Sequence, residues 1–175
     1  AVAVTILTKS PLIQRDIDLL CMNVAAEVYV TMSPLLQPLH LVLEPRSPLF
    51  AERVHLIKSL VHNGLRAHCY INPVIPYCID ILPVLEACQG VTSLLSVEGI
   101  NLRMVDFATL SHHIKKVLPE SYMLLEKLVA RETAWNGYWN DLRRQLNSLN
   151  QSFHYTLQTF FHSSSAYFGV LPYRL

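Results

Sequence analysis

The residues best suited to ligand binding follow four short apolar runs, which predict buried strands at 2–7, 28–32, 66–71 and 92–97. Ligands in parallel α/β folds bind beyond the carboxyl ends of the strands, so these residues are expected to face one pocket. They are Lys9 and Ser10 after the first run, Thr31 and Ser33 at the second, Asn72, Pro73, Val74 and Pro76 after the third, and Ser96 and Glu98 at the fourth.

Each group offers a different contact. The ammonium of Lys9 suits a carboxylate or phosphate, and the hydroxyl of Thr31 suits a ribose. The rigid segment at 73–76 could flank an aromatic base and offer backbone groups to its edge. Ordinary capping at strand ends explains the same residues and remains the alternative.

The elements that must position these residues alternate regularly. Helical patterns at 15–26, 47–62 and 78–88 separate the four strands, while 33–46, with three prolines, is predicted to be a loop. Ser47 and Pro48 are predicted to open the second helix, and Gly64 and Gly90 to end helices. From 106 onward only helices are predicted, at 106–117, 120–132, 138–149 and 151–168.

This order predicts an α/β fold, a half or partial (βα) barrel with four parallel strands followed by a C-terminal all-helical tail. We expect the partial barrel at 1–105 and the helical tail, packed on it, at 106–175. No internal repeat is evident beyond the alternation.

Composition narrows the function classes. Of 175 residues, 51% are hydrophobic and 15% charged, and the net charge is +1, which excludes a disordered chain and a chain-wide cationic surface for nucleic acid. So little charge predicts that part of the surface is covered by a partner. The apolar edge at 1–7 is the expected place, covered by an N-terminal half, an identical copy or a larger complex. No window is long enough to span a membrane, which predicts a soluble protein.

The cysteines and histidines give weak metal signals. Cys21, Cys69, Cys78 and Cys88 are spaced neither for zinc nor for a disulfide scaffold, so free thiols in a reducing compartment, the cytoplasm or an organelle matrix, are expected. The pair at 112–113 is either part of a metal site or a solvated helix surface. The sequence contains no GxGxxG, P-loop or GxSxG motif.

Three arginines on the predicted tail helices are a candidate nucleic-acid contact. The three arginines are Arg131, Arg143 and Arg144, and they lie near aromatic residues at 135, 138 and 139. Basic and aromatic side chains together are typical of proteins that bind single-stranded nucleic acid. A solvated face beside an aromatic core anchor is the alternative, and it is favoured.

Three groups of motifs follow one another along the chain. The first is TKSPLI at 8–13, followed by RD at 15–16 and DLL at 18–20. The second is EPRSP at 44–48, Arg53, Gly64, NPVIP at 72–76 and Asp80, and the third is LPE at 118–120, GY at 137–138, RR at 143–144, Tyr155 and FG at 168–169. In this order they resemble the spore photoproduct lyase-like branch of the radical S-adenosylmethionine proteins; the second group matches the branch without gaps, and the third is similar to its C-terminal helices.

The resemblance implies a partial (βα)6 barrel that binds S-adenosylmethionine and a [4Fe–4S] cluster. Lys9, Thr31 and the segment at 72–76 would line the S-adenosylmethionine pocket, and Glu44 and Arg53 would brace the barrel. The CxxxCxxC motif that holds the cluster in this family is absent from the 175 residues. Tyr77 stands where the branch usually has glycine.

Three functions remain open on these grounds. The first is the C-terminal portion of a radical S-adenosylmethionine, spore photoproduct lyase-like protein, which contributes part of the S-adenosylmethionine pocket and is not catalytic alone. The alternative is a non-catalytic remnant of that fold in a larger, possibly ribonucleoprotein, assembly. The third is an unrelated α/β domain that binds a small molecule.

Overall fold

The computed structural model describes residues 2–162, and within them one five-stranded parallel sheet organises the chain. The strands are β1 (Val4–Thr8), β2 (Ala26–Met32), β3 (Arg66–Val74), β4 (Leu94–Gly99) and β5 (Thr156–Phe160). They lie side by side in chain order, and every neighbouring pair is parallel. The sheet is not closed, so β1 and β5 form its two edges. The predicted partial barrel with parallel strands is confirmed.

Seven α-helices accompany the described strands. They are α1 (Ile17–Cys21), α2 (Gln37–Leu43), α3 (Phe50–His62), α4 (Leu82–Cys88), α5 (Phe107–Val117), α6 (Pro119–Val129) and α7 (Glu132–Phe153). A 3-10 turn at Pro11–Asp16 leads into α1. The left-handed backbone at Gly64 (φ +83°) and Gly90 (φ +71°) confirms the predicted glycine helix ends.

The core lies on one face of the sheet. Val28 and Val30 of β2 and Cys69 and Ile71 of β3 are fully buried there, in one cluster with the buried stripe of α3. Side chains alternate along a strand, so the residues between them point to the opposite face. That face, called the open face below, carries mainly polar and aromatic residues.

The end of the chain differs from the prediction. One continuous helix, α7, covers all of the helix predicted at 138–149 and the first three residues of the one predicted at 151–168. Because β5 occupies Thr156–Phe160, the prediction at 151–168 is wrong over the described residues after 153. Its remaining positions, with the matched pair at 168–169, lie outside them. His154 adopts a left-handed conformation (φ +61°) that ends α7. The alternating TLQTF pattern then suits a strand, and the Thr156 amide donates to the Ser93 carbonyl (2.7 Å).

Two helix starts also differ. The segment predicted as a loop at 33–46 contains α2, because a proline is tolerated in the first turn of a helix. Helix α3 begins at Phe50 rather than at Ser47 and Pro48, and the Leu49 amide donates to the Glu52 carboxylate (2.6 Å). The Glu52 side chain thus satisfies the amide of the residue that precedes the helix, which is the Glu half of a capping box.

The tail helices pack on the end of the sheet through aromatic rings. Trp135 and Trp139 of α7 are buried, and the Trp139 ring lies against the backbone of Gly99 and stacks on Phe161 (4.8 Å between centroids). No side chain larger than hydrogen fits at Gly99 without displacing that ring. The domain boundary at 105 stays a prediction. No helix within residues 2–162 is long and apolar enough to cross a membrane.

Candidate functional site

Glu98, at the carboxyl end of β4, is the centre of a polar group on the open face. Its Oε2 accepts hydrogen bonds from the Tyr70 hydroxyl and from Asn72 Nδ2 (2.5 Å), and His162 Nε2 lies 3.2 Å from its Oε1. Tyr70 and Asn72 are two apart on β3, so both reach the same face. His162 follows β5. These four residues, the Glu98 cluster, are therefore contributed by three neighbouring strands at their carboxyl ends.

The Glu98 cluster is arranged to keep a carboxylate oriented and partly accessible. Burial, followed by the hydrogen bond to Glu98, raises the pKa of Tyr70 to about 12, so the phenol remains a donor at neutral pH. A carboxylate has about four acceptor positions, and three are occupied here. The fourth can accept a hydrogen bond from a ligand hydroxyl or ammonium group.

Aromatic side chains continue the open face beside the Glu98 cluster. The Tyr29 ring of β2 lies 5.0 Å from the His68 ring and 6.3 Å from the Tyr70 ring, between centroids. Burial lowers the pKa of His68, which favours a neutral imidazole, and its Nδ1 has no hydrogen-bond partner among the described residues. Arg66 and Glu27 form an ion pair (2.9 Å) at the start of the same two strands.

A second polar group braces the carboxyl ends of β1 and β2. Arg53 of α3, 1% exposed, donates to Glu44 Oε2 (2.5 Å), Ser33 Oγ (2.9 Å) and the carbonyls of Thr31 and Pro48. Glu44 Oε1 also accepts from Lys9 (3.0 Å) and Ser33 (2.7 Å). We call Arg53, Glu44, Lys9 and Ser33 the Arg53 brace, and its geometry matches the bracing role expected for Glu44 and Arg53.

The Arg53 brace holds Glu44 ionised. Burial alone would raise the pKa of this carboxyl, but the hydrogen bonds from Arg53, Ser33 and Lys9 lower it from 4.5 to about 2. The guanidinium and the carboxylate therefore remain a fixed, paired charge at any physiological pH. Such a group ties α3 to the ends of two strands and offers little to a ligand.

The predicted ligand residues thus divide between two groups. Lys9 and Ser33 belong to the Arg53 brace, and Asn72 belongs to the Glu98 cluster. The Ser10 hydroxyl accepts the Leu12 amide (3.3 Å), which is the capping role left open above. Assignment of these residues to an S-adenosylmethionine pocket stays a prediction.

The turn after β3 is buried and internally bonded. The carbonyl of Val74 accepts the Ile100 amide (2.9 Å), and the side chains of Val74 and Pro76 are buried. The Asn72–Pro73 peptide bond is cis. Within the predicted segment 72–76, Asn72, still on β3, is therefore the residue whose side chain joins the Glu98 cluster.

The backbone of Tyr77 adopts a conformation that glycine favours, and glycine is the usual residue at this position in the branch that the sequence resembles. Its φ is +63°, in the left-handed region that favours glycine. The Ser121 hydroxyl donates to its carbonyl (2.8 Å), and its ring packs edge-on against Tyr138 (5.3 Å between centroids). The tail helices therefore hold this turn in place.

Only some residues of the candidate nucleic-acid contact are accessible at the surface. Trp135 and Trp139 are buried, so their rings cannot stack on bases, as the favoured alternative anticipated. Arg144 pairs with Asp141, and the Arg143 guanidinium lies 5.3 Å from the Phe161 ring centroid. Nucleic-acid contact by Arg131, Arg143 and Arg144 stays a prediction.

The described residues do not fit an iron–sulfur cluster. Cys69, Cys78 and Cys88 are free, buried and on different elements, while Cys21 is free and exposed. Burial raises the pKa of Cys78 to about 11, whereas cluster ligands are thiolates. No group of three or more His, Cys, Asp or Glu side chains within residues 2–162 is placed to hold a metal, the histidine pair at 112–113 included.

Several functional candidates escaped sequence reasoning. Tyr29, His68, Tyr70 and His162 were not predicted, although Glu98 was noted at a strand end. The alternating polar residues of β3, at 66, 68, 70 and 72, are the signal that could have found two of them. His162 had no such signal, because β5 was predicted to be helical.

Comparison with known proteins agrees with this architecture. The chain superimposes on "Spore photoproduct lyase complexed with dinucleoside spore photoproduct" with a TM-score of 0.58 and 14% identity, over 90% of this chain and 51% of that one. The fold resembles that of spore photoproduct lyase. "Uncharacterized protein MJ0683" of Methanocaldococcus jannaschii is 30% identical over 138 residues, 79% of this chain and 51% of that protein. The chain spans about half the length of both, and no family model matches it.

Proposed function

We propose that the chain is the C-terminal portion of a radical S-adenosylmethionine, spore photoproduct lyase-like protein. It supplies one wall of the S-adenosylmethionine pocket and is not catalytic alone. The Glu98 cluster carries this proposal, because an oriented, partly accessible carboxylate lies at the carboxyl ends of three parallel strands. The spore photoproduct lyase-like fold supports it.

The missing part of the barrel would lie along β1. Among the described strands β1 pairs with β2 alone, and Val2 just before it and Leu7 within it are 78% and 57% exposed. An apolar strand edge without a charge or proline before Lys9 favours pairing with another strand. We propose that a polypeptide carrying the cluster cysteines covers this edge.

S-adenosylmethionine carries groups that match the Glu98 cluster. Its ammonium and ribose hydroxyls are donors, and Glu98 Oε1 and the amide oxygen of Asn72 are acceptors on the open face. Tyr29 and His68 offer ring surfaces nearby for an adenine. In the resembling family this cofactor supplies a 5′-deoxyadenosyl radical that abstracts hydrogen, while the residues of this chain would bind and orient it.

The test combines the chain with an N-terminal half that contains CxxxCxxC. The two polypeptides are co-expressed, purified without oxygen, and assayed for S-adenosylmethionine binding and for 5′-deoxyadenosine release with a reductant. We expect Glu98→Gln to weaken binding about 10-fold, as loss of a charge-assisted hydrogen bond predicts, while the surface control Glu120→Gln binds normally. Equal binding by the two variants, or none by the wild-type pair, would contradict the proposal.

A structural role is the second candidate, and the Arg53 brace favours it. Hydrogen bonds within the chain use the charged groups of Lys9 and Glu44 and the hydroxyl of Ser33. A domain that serves only as a packing module would use its polar groups in this way. A structural subunit would co-purify with a large complex and bind no S-adenosylmethionine. Measuring both properties on the same preparation separates the two candidates.

A further inference from the structure

A cavity of about 580 Å³ lies between α5 and α6, formed by different residues from the Glu98 cluster and the Arg53 brace. Its walls are mainly apolar: Phe107 and Ala108 of α5 face Leu125 and Val129 of α6, with Ala130 just after that helix. Ligand pockets in proteins usually measure about 300–1,000 Å³ and have mainly apolar walls. The cavity is therefore large enough for a drug-sized molecule.

One hydroxyl in this wall lacks a partner. Ser111 Oγ is buried and makes no hydrogen bond with any described residue. A buried hydroxyl normally finds a partner, because leaving it unpaired costs free energy. Since Ser111 lines the cavity, a bound molecule with an acceptor atom would satisfy it.

The charged groups at the cavity favour an anion. The Lys115 ammonium lies 5.3 Å from the Tyr122 ring centroid and forms no ion pair within residues 2–162. Glu126 is the one carboxylate among the lining residues, and the Tyr122 hydroxyl donates to it (2.7 Å). His112 also lines the cavity. An acidic ligand group can therefore approach Lys115, whose ammonium lies over the Tyr122 ring.

We propose that the cavity between α5 and α6 binds a small aromatic anion. Its rings lie between Phe107 and Val129, and its acidic group accepts hydrogen bonds from Lys115 and Ser111. This site is independent of the proposed function, since none of its residues belongs to the open face.

The test uses the whole chain and two fluorescent probes. The dye 8-anilino-1-naphthalenesulfonate is an aromatic anion, and N-phenyl-1-naphthylamine has the same rings without the sulfonate. We expect saturable binding of the sulfonate, at least 10-fold tighter than that of the neutral dye and weaker as salt is added. Absence of saturable binding, or equal affinity for the two dyes, would overturn the proposal.

Variants locate the site. Lys115→Met should weaken sulfonate binding about 10-fold, whereas Lys116→Met, at the exposed neighbouring position of α5, should leave it unchanged. Ala108→Phe places a ring in the cavity and should abolish binding without disturbing the fold, as circular dichroism checks. Equal affinity in the two lysine variants, or full binding by Ala108→Phe, would mean that the dye binds elsewhere.

Ser111→Ala separates a ligand contact from a structural role. The hydroxyl has no partner among the described residues, so its removal should leave resistance to urea unchanged or slightly higher while weakening sulfonate binding about 3–10-fold. A variant that unfolds more easily and binds the dye normally would show that the hydroxyl serves the fold, contrary to the proposal.

Discussion

Protonation of Glu44 at low pH should lower the free energy of unfolding, and the size of the effect follows from the Arg53 brace. Glu44 is 11% exposed, and its pKa is about 2 in the folded chain against an ordinary 4.5. Each step of one in pKa corresponds to about 1.4 kcal/mol, so the ionised carboxylate stabilises the fold by about 3 kcal/mol at pH 7. This stabilisation is fully present above pH 4.5 and is lost as the pH falls towards 2.

Glu44→Gln removes the titrating group and keeps the shape of the side chain. We expect the variant to be about 3 kcal/mol less stable than wild type at pH 7, because the buried guanidinium of Arg53 loses its counter-charge. At pH 3 about 2 of those 3 kcal/mol should have disappeared, since wild-type Glu44 is then losing its own stabilisation. Urea unfolding followed by circular dichroism at pH 7, 5 and 3 measures the difference.

Glu120→Gln, on the exposed first turn of α6, is the matched control, and its stability should follow wild type at every pH. Other carboxyls with lowered pKa values, such as Asp16 beside Arg15, titrate equally in all three proteins and cancel in the comparison. If the gap between Glu44→Gln and wild type stays constant from pH 7 to pH 3, the reasoning about the Arg53 brace is refuted.

Three further predictions concern packing, backbone and iron. Gly99→Ala should lower the free energy of unfolding in urea by about 1–3 kcal/mol, because its Cβ would lie 2.8 Å from the buried Trp139 ring. Gly137→Ala in α7 meets nothing within 4 Å and should stabilise by about 0.5–1 kcal/mol; equal effects would contradict the packing argument. Tyr77→Gly should be about 1 kcal/mol more stable than Tyr77→Ala in thermal unfolding, because only glycine adopts its positive φ without cost; the reverse order would exclude backbone strain. The chain alone, reconstituted without oxygen, should hold only trace iron by elemental analysis, since residues 2–162 bring no three cysteine, histidine or carboxylate side chains together; stoichiometric iron would disprove this.

Sequence reasoning predicted the part of the fold that depends on local pattern. Apolar runs and the helices between them were sufficient for four parallel strands in chain order, and Gly64 and Gly90 ended helices as expected. The fifth strand escaped because its alternating pattern covers only five residues and directly follows a long polar helix, so the local pattern predicts a continuation of helix. Its strand conformation depends on pairing with β4, which no local pattern contains.

The candidate site was harder to predict for a related reason. Strand ends pointed to Lys9 and Asn72, but spacing along the chain does not show which side chains will pair with each other. Glu44 lies 35 residues from Lys9, and their contact removes Lys9 from the residues free to meet a ligand. The Glu98 cluster likewise joins His162 to a residue 64 positions earlier.

The position of His162 links completion of the candidate site to the order in which the chain is made. The ribosome delivers Tyr70, Asn72 and Glu98 well before β5, so a nascent chain could hold the carboxylate between two donors while its third was still unsynthesised. Docking of β5 then brings in His162 and covers the free edge of β4 in a single event. The carboxylate therefore acquires its third hydrogen-bond partner only in a chain whose sheet has reached five strands.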